Sequence, residues 1–84
     1  MNKQIRFWVI KRTIRKYWHR RPINIDDLKH PRFSKREIED ECKELVKQGL
    51  MIQKPGLYGM RYGLNTHKKI EIFELFEKLQ KEFS

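Results

Sequence analysis

Eight of the first 22 residues are Lys or Arg (Lys3, Arg6, Lys11, Arg12, Arg15, Lys16, Arg20 and Arg21), and none is acidic. A second acid-free stretch, Gln48 to Lys69, carries Lys54, Arg61, Lys68 and Lys69. Ile23 to Lys47 holds six basic and seven acidic residues, and Ile70 to Ser84 nets −2, so the formal charge of +9 is concentrated in two places. Ammonium and guanidinium groups hold anions. A small protein of pI ≈ 9.9 that gathers them in this way points to a polyanionic partner. Charge that serves solubility alone is usually spread more evenly.

Other chemistry is poorly served. His19, His30 and His67 lack metal-ligand spacing, and with Cys42 as the single cysteine no zinc site is expected. No nucleophile–base pattern, glycine-rich phosphate loop or cluster of catalytic carboxylates is present, so neither an enzyme nor a cofactor is expected. No small-molecule pocket is evident. Trp8 and Trp18 offer faces for base stacking, but at helical spacing beside Ile and Phe they read first as packing residues. Tyr58 could rest on a sugar, but reads first as packing on the hairpin. No apolar run approaches the roughly 20 residues that cross a bilayer, and Phe7 to Ile10 is too short for a signal-peptide core. One unpaired cysteine fits a reducing compartment, so the expected location is intracellular and cytoplasmic.

The elements that position these cations follow from periodicity. The 84 residues, with ten aromatic side chains, suffice for one modest core. Phe7, Ile10, Ile14, Tyr17 and Trp18 recur at spacings of three and four within Asn2 to Arg20, which predicts a helix ended by Pro22. Asn24 as cap, with Asp26 and Asp27 following, starts a second, short helix over about Ile25 to His30, stopped by Pro31. Ser34 and Glu37 form a capping box for a third helix, about Lys35 to Gln48, with Gly49 at its end. Ile38, Cys42, Leu45 and Val46 face its core side, which leaves Ser34, Lys35, Arg36, Glu39, Asp40 and Lys43 outside. A hairpin follows, with strand Leu50–Lys54, turn Pro55–Gly56, Leu57 to Gly59 near its tip, and Met60, Tyr62 and Leu64 alternating with Arg61 and Gly63. Asn65 or Thr66 caps a last helix over about His67 to Phe83, whose Ile72, Phe76, Leu79 and Phe83 form a heptad seam flanked by Phe73 and Leu75.

The stretch from Ser34-Lys35-Arg36-Glu37-Ile38 through Glu44-Leu45-Val46-Lys47-Gln48-Gly49-Leu50-Met51-Ile52, then Arg61-Tyr62-Gly63-Leu64-Asn65, resembles the recognition-helix-to-wing segment of winged helix-turn-helix transcriptional regulators. The resemblance covers about Ile5 to Asn65. The small size and the last helix are similar to winged-helix proteins of viruses and plasmids, archaeal ones included. It implies an α+β, mostly α fold of three helices and a two-stranded β-hairpin wing, with an additional C-terminal helix. It implies further that the third helix enters the major groove with its N-terminal side chains toward base edges. Arg36 then suits a bidentate contact to guanine, Ser34 and Lys35 suit phosphate, and Glu39 and Asp40 either hold Lys43 and Arg36 as i,i+4 pairs or accept from cytosine. Lys54 and Arg61 would lay the wing on the backbone or in the minor groove. Arg20 and Arg21, at the entrance to the short helix, would meet phosphate.

The expectation is therefore a homodimeric, sequence-specific double-stranded DNA binder acting in transcription regulation. Residues 1–65 would form the DNA-binding domain, and residues 66–84 would form a dimerisation helix pairing through Ile72, Phe73, Phe76, Leu79 and Phe83. The acidic residues of the third helix leave room for a protein-interaction module on the same scaffold. A DNA segregation or replication-control binder, or a reader of RNA shape, would also fit.

Overall fold

In the computed structural model, which describes residues 2–17, 22–57 and 59–83, the chain is α+β and mostly helical. Its elements are α1 (Lys3–Tyr17), β1 (Ile23–Asn24), a 3₁₀ turn (Ile25–Leu28), α2 (Lys35–Lys47), β2 (Met51–Gly56), β3 (Gly59–Leu64), a second 3₁₀ turn (Thr66–Lys68) and α3 (Lys69–Phe83). The strands make one antiparallel sheet in the order β1-β3-β2.

One apolar core holds it together. α1 contributes Ile5, Val9 and Ile10, the 3₁₀ turn Ile25 and Leu28, α2 Ile38, Cys42 and Leu45, the sheet Ile23, Met51, Tyr62 and Leu64, and α3 Ile72 and Leu79. α1 packs against α2, α3 and β3. Asn2 caps α1, its side chain accepting from the Gln4 and Ile5 amides at 3.0 and 3.2 Å. No helix among the described residues is long and apolar enough to cross a membrane.

The structure departs from expectation in three places. The second helix is only a 3₁₀ turn, and Asn24 makes no side-chain cap. Lys29 is already extended (φ −54°, ψ 139°), and His30 must avoid the helical region ahead of Pro31, so too few residues remain for an α-turn. Ile23 and Asn24 instead pair with Tyr62 and Arg61, adding a third strand to the expected two. The hairpin turn comes later than Pro55–Gly56, because β2 continues through both residues and Pro55 pairs with Met60 and Gly56 with Gly59. β2 is an edge strand, where the missing proline N–H is tolerated.

The third departure concerns α3. Of the five residues of the expected dimer seam, Ile72 and Leu79 are buried in the core. Phe76 is half-buried, its ring stacked 5.8 Å from Phe7, and Phe83 stacks on the same ring at 5.9 Å. Phe73 and Phe83 keep about a third of their surface, at 36% and 37%. α3 therefore belongs to the same core as the elements before it, and residue 65 is not a packing boundary.

Candidate nucleic-acid interface

Both ends of α2 are fixed. The Ser34 hydroxyl accepts from the Glu37 amide at 3.1 Å, and the Glu37 carboxylate accepts from the Ser34 amide at 2.9 Å. At the other end Gly49 (φ 79°) turns the chain so that its amide donates to Val46 and that of Leu50 to Leu45, both at 3.0 Å. The positive φ favours glycine there. The helix is thereby held in one rotational setting, with Ile38, Glu41, Cys42 and Leu45 inward. At about 100° per residue the opposite stripe is Arg36, Asp40, Lys43 and Lys47, and all four are exposed.

This setting removes an apparent obstacle, because α2 carries five acids and DNA is a polyanion. Glu37 is occupied in the capping box. Glu41 is buried against Arg6 at 2.6 Å, with the Asn2 amide donating to it at 3.3 Å and Arg6 also donating to Gln48 at 3.0 Å. Glu39 and Glu44 are half-buried on opposite flanks, and Glu44 borders an acidic cleft with Asn2, Ile5, Glu37, Asp40 and Glu41. The outermost stripe thus keeps three cations and one acid. The expected Arg36–Asp40 and Glu39–Lys43 pairs are not among the ion pairs of the described residues.

The turn ahead of α2 adds cations that the sequence-based site missed. Lys29 and Arg32 are exposed beside Lys35 and Arg36. Lys35 meets Asp26 at 3.1 Å, but both are more than half exposed, so the pair contributes little and leaves Lys35 available. The turn rests on an aromatic base. His30 Nδ1 accepts from the Arg32 amide at 3.1 Å, the His30 ring stacks on Phe33 at 4.7 Å, and Trp8 meets His30 edge-on. Trp8 donates its indole N–H to the Leu28 carbonyl at 2.9 Å, so its role is to hold the turn on α1. The signal that could have found Lys29 and Arg32 is the local run of basic residues either side of Pro31.

In the hairpin Lys54 and Arg61 are cross-strand partners. Lys54 is exposed. Arg61 is half-buried and lies along the hairpin; its Nε sits 2.9 Å from where a Cβ on Gly56 would be, so a side chain there would displace the guanidinium. That Nε is buried without a partner among the described residues.

The basic first helix is largely occupied. Arg6 is internal, Lys3 meets Glu82 at 3.5 Å, and Lys11 and Arg12 lie over Phe7 and Trp8 at 5.4 and 5.8 Å. Arg15 is exposed. Arg20 and Arg21, as well as Trp18, His19 and Tyr58, lie outside the described residues. Burial, with Glu41 and Glu39 adding to it, pushes the Cys42 thiol up to about 12, and burial first raises Tyr62, whose hydroxyl has no partner among the described residues. A thiol so far from ionising is packing, not a nucleophile. Among the described residues no three His, Cys, Asp or Glu side chains gather as a metal site would need. The arrangement can therefore donate to anions along the turn, the α2 stripe and one edge of the hairpin. No family model, curated protein or solved structure matches the chain.

Proposed function

We propose that the chain is a winged helix-turn-helix protein that binds double-stranded DNA sequence-specifically, in the manner of a small transcriptional regulator. In this reading the 3₁₀ turn and α2 are the helix-turn-helix, the β2–β3 hairpin is the wing, and β1 is the short strand that closes the sheet. The observation that carries it is the outer stripe of α2. A helix with five acids presents Arg36, Lys43 and Lys47 because two of those acids are held by the capping box and by Arg6. Lys29 and Arg32 extend the cationic surface at the N-terminal end of the helix, where an anion also meets free amides and the positive end of the helix dipole.

Roles follow from position. Arg36, Asp40 and Lys43 face outward on successive turns of α2, with Arg36 at the N-terminal end where a major-groove helix meets bases. Ser34 is held by its cap, so phosphate contact at that corner falls to Lys29, Arg32 and Lys35. Lys54 serves the backbone from the hairpin.

The test is fluorescence anisotropy with labelled random-sequence duplex across a salt series. Each neutralised phosphate contributes about −0.9 to the slope of log K against log salt. Lys29, Arg32, Lys35, Lys43, Lys47 and Lys54 together give an expected slope of about −5. Absence of binding at low salt, or a slope near zero, overturns the reading and turns attention to a protein partner.

A further inference from the structure

Beside the turn that precedes α2 the fold leaves a cleft of about 380 Å³, and every residue lining it is a described one. Its apolar walls are aromatic throughout. Phe7 and Phe83, stacked at 5.9 Å, come from α1 and α3. His30 and Phe33, stacked at 4.7 Å, come from the turn, and Trp8 meets His30 edge-on at 4.7 Å. The polar lining is Gln4, Lys11 and Arg32, with no acid among them. Lys11 lies over the Phe7 ring at 5.4 Å. Neither it nor the exposed Arg32 belongs to an ion pair of the described residues.

We propose that this cleft binds a small planar aromatic carboxylate and that its occupancy releases DNA. Planarity follows from the walls. Ring faces and edges, with no branched aliphatic side chain among them, favour another flat ring in offset or edge-on contact. Charge follows from the polar lining. Two cations without an acid select an anion, and Arg32 presents a planar fork that a carboxylate accepts in two hydrogen bonds. Size follows from the volume. At about 30 Å³ for each water of the liquid the cleft has room for about a dozen, which suits a two-ring acid and is too little for a nucleotide. Sites that hold small molecules begin at about 300 Å³. The release of DNA rests on the DNA-binding reading above. Arg32 lines the cleft and also belongs to the cationic turn at the start of α2, so a guanidinium committed to the carboxylate is withdrawn from phosphate. Such coupling is reciprocal, and duplex must weaken the acid by the same factor.

The experiment titrates 2-naphthoate into the isotope-labelled full chain and follows the backbone and indole N–H signals by NMR. The expected result is a single site with a Kd of about 1 mM or tighter, its shifts centred on Phe7, Trp8, His30 and Phe33. Naphthalenemethanol, which lacks the charge, and cyclohexanecarboxylate, which lacks the flat ring, should each bind at least about tenfold more weakly. Lys11→Gln and Arg32→Gln should each weaken naphthoate about tenfold, whereas Arg15→Gln, an exposed change outside the cleft, should not. Absence of shifts, shifts centred elsewhere, or equal binding of the alcohol overturns the site. In the anisotropy assay, saturating naphthoate should weaken duplex binding by wild type about fivefold and leave that of Arg32→Gln unaffected. Naphthoate bound in the cleft with duplex affinity unchanged overturns the release. Wild-type protein that binds no duplex even without naphthoate overturns the DNA-binding reading itself, while the NMR titration decides the site, so the two failures are distinguishable.

Discussion

Arg6 illustrates what a single residue hides in sequence. By type and neighbourhood it belongs with the exposed cations of the first quarter. In the fold it is buried against Glu41, 35 positions away, and such long-range pairing has no local signature. Removing one partner of a buried pair leaves an uncompensated charge, at a cost of about 3–5 kcal/mol. Glu41→Ala should therefore lose about that much stability in urea unfolding, while Arg6→Met with Glu41→Leu should lie closer to wild type. A Glu41→Ala cost below about 1 kcal/mol would mean that the pair is solvated. Cys42 behaves oppositely, since its burial was legible from helical spacing alone. Its thiol, at 9.0 in the unfolded reference, is raised to about 12 by desolvation, then by Glu41 and Glu39. The folded state keeps a proton that the unfolded chain releases, so this stabilisation is intact below pH 9 and is lost as pH rises toward 12. Tyr62, raised from 10.0, adds loss in the same direction. Melting temperature should fall above pH 9, less steeply in Cys42→Ala than in wild type. Equal slopes would assign the whole effect to Tyr62 or other groups.

At the scale of elements, legibility followed the strength of local chemistry. Ser34, Glu37 and Gly49 set α2 within a residue of its observed bounds because cap hydrogen bonds are made within a few residues of themselves. Pro55-Gly56 misled because a turn-forming dipeptide also suits an edge strand whose glycine makes room for Arg61. The short helix failed because Trp8 and β3, both distant in sequence, decide what Ile23 to Leu28 do. The rotational setting of α2 gives a direct test of the interface. Lys43 and Glu44 are neighbours in sequence but point about 100° apart, Lys43 outward and Glu44 toward the acidic cleft. Lys43→Gln should weaken duplex binding and make the salt slope less negative by about 0.9. Glu44→Gln removes a charge of opposite sign from the flank and should leave the slope as it was. Equal and opposite effects from the two would mean that DNA senses only net charge and that the stripe is not the contact.

At the scale of the whole molecule, the apolar face of α3 was legible and its partner was not. A heptad spacing reports which side of a helix avoids water, and is silent on whether the covering surface belongs to the same chain. Here α1 covers it: Phe7 lies within stacking distance of both Phe76 and Phe83, and Ile72 and Leu79 join the one core. The two possibilities predict different failures. Had α3 been a dimerisation arm, Phe76→Asp would give a folded monomer and residues 1–65 would fold alone. In this fold a carboxylate at residue 76 sits half-buried against Phe7, and loss of residues 66–84 strips the cover from α1. Phe76→Asp should therefore cost several kcal/mol, about the 3–5 of a large-to-small core replacement or more, and should unfold at lower urea. The chain cut after Asn65 should show little helical circular dichroism and no cooperative melt. Sedimentation separates the outcomes, because a compact, folded monomer from either change would return α3 to the role of an interface between copies. An expanded chain would make the helix what its burial indicates, the last layer of a core too small to hold without it.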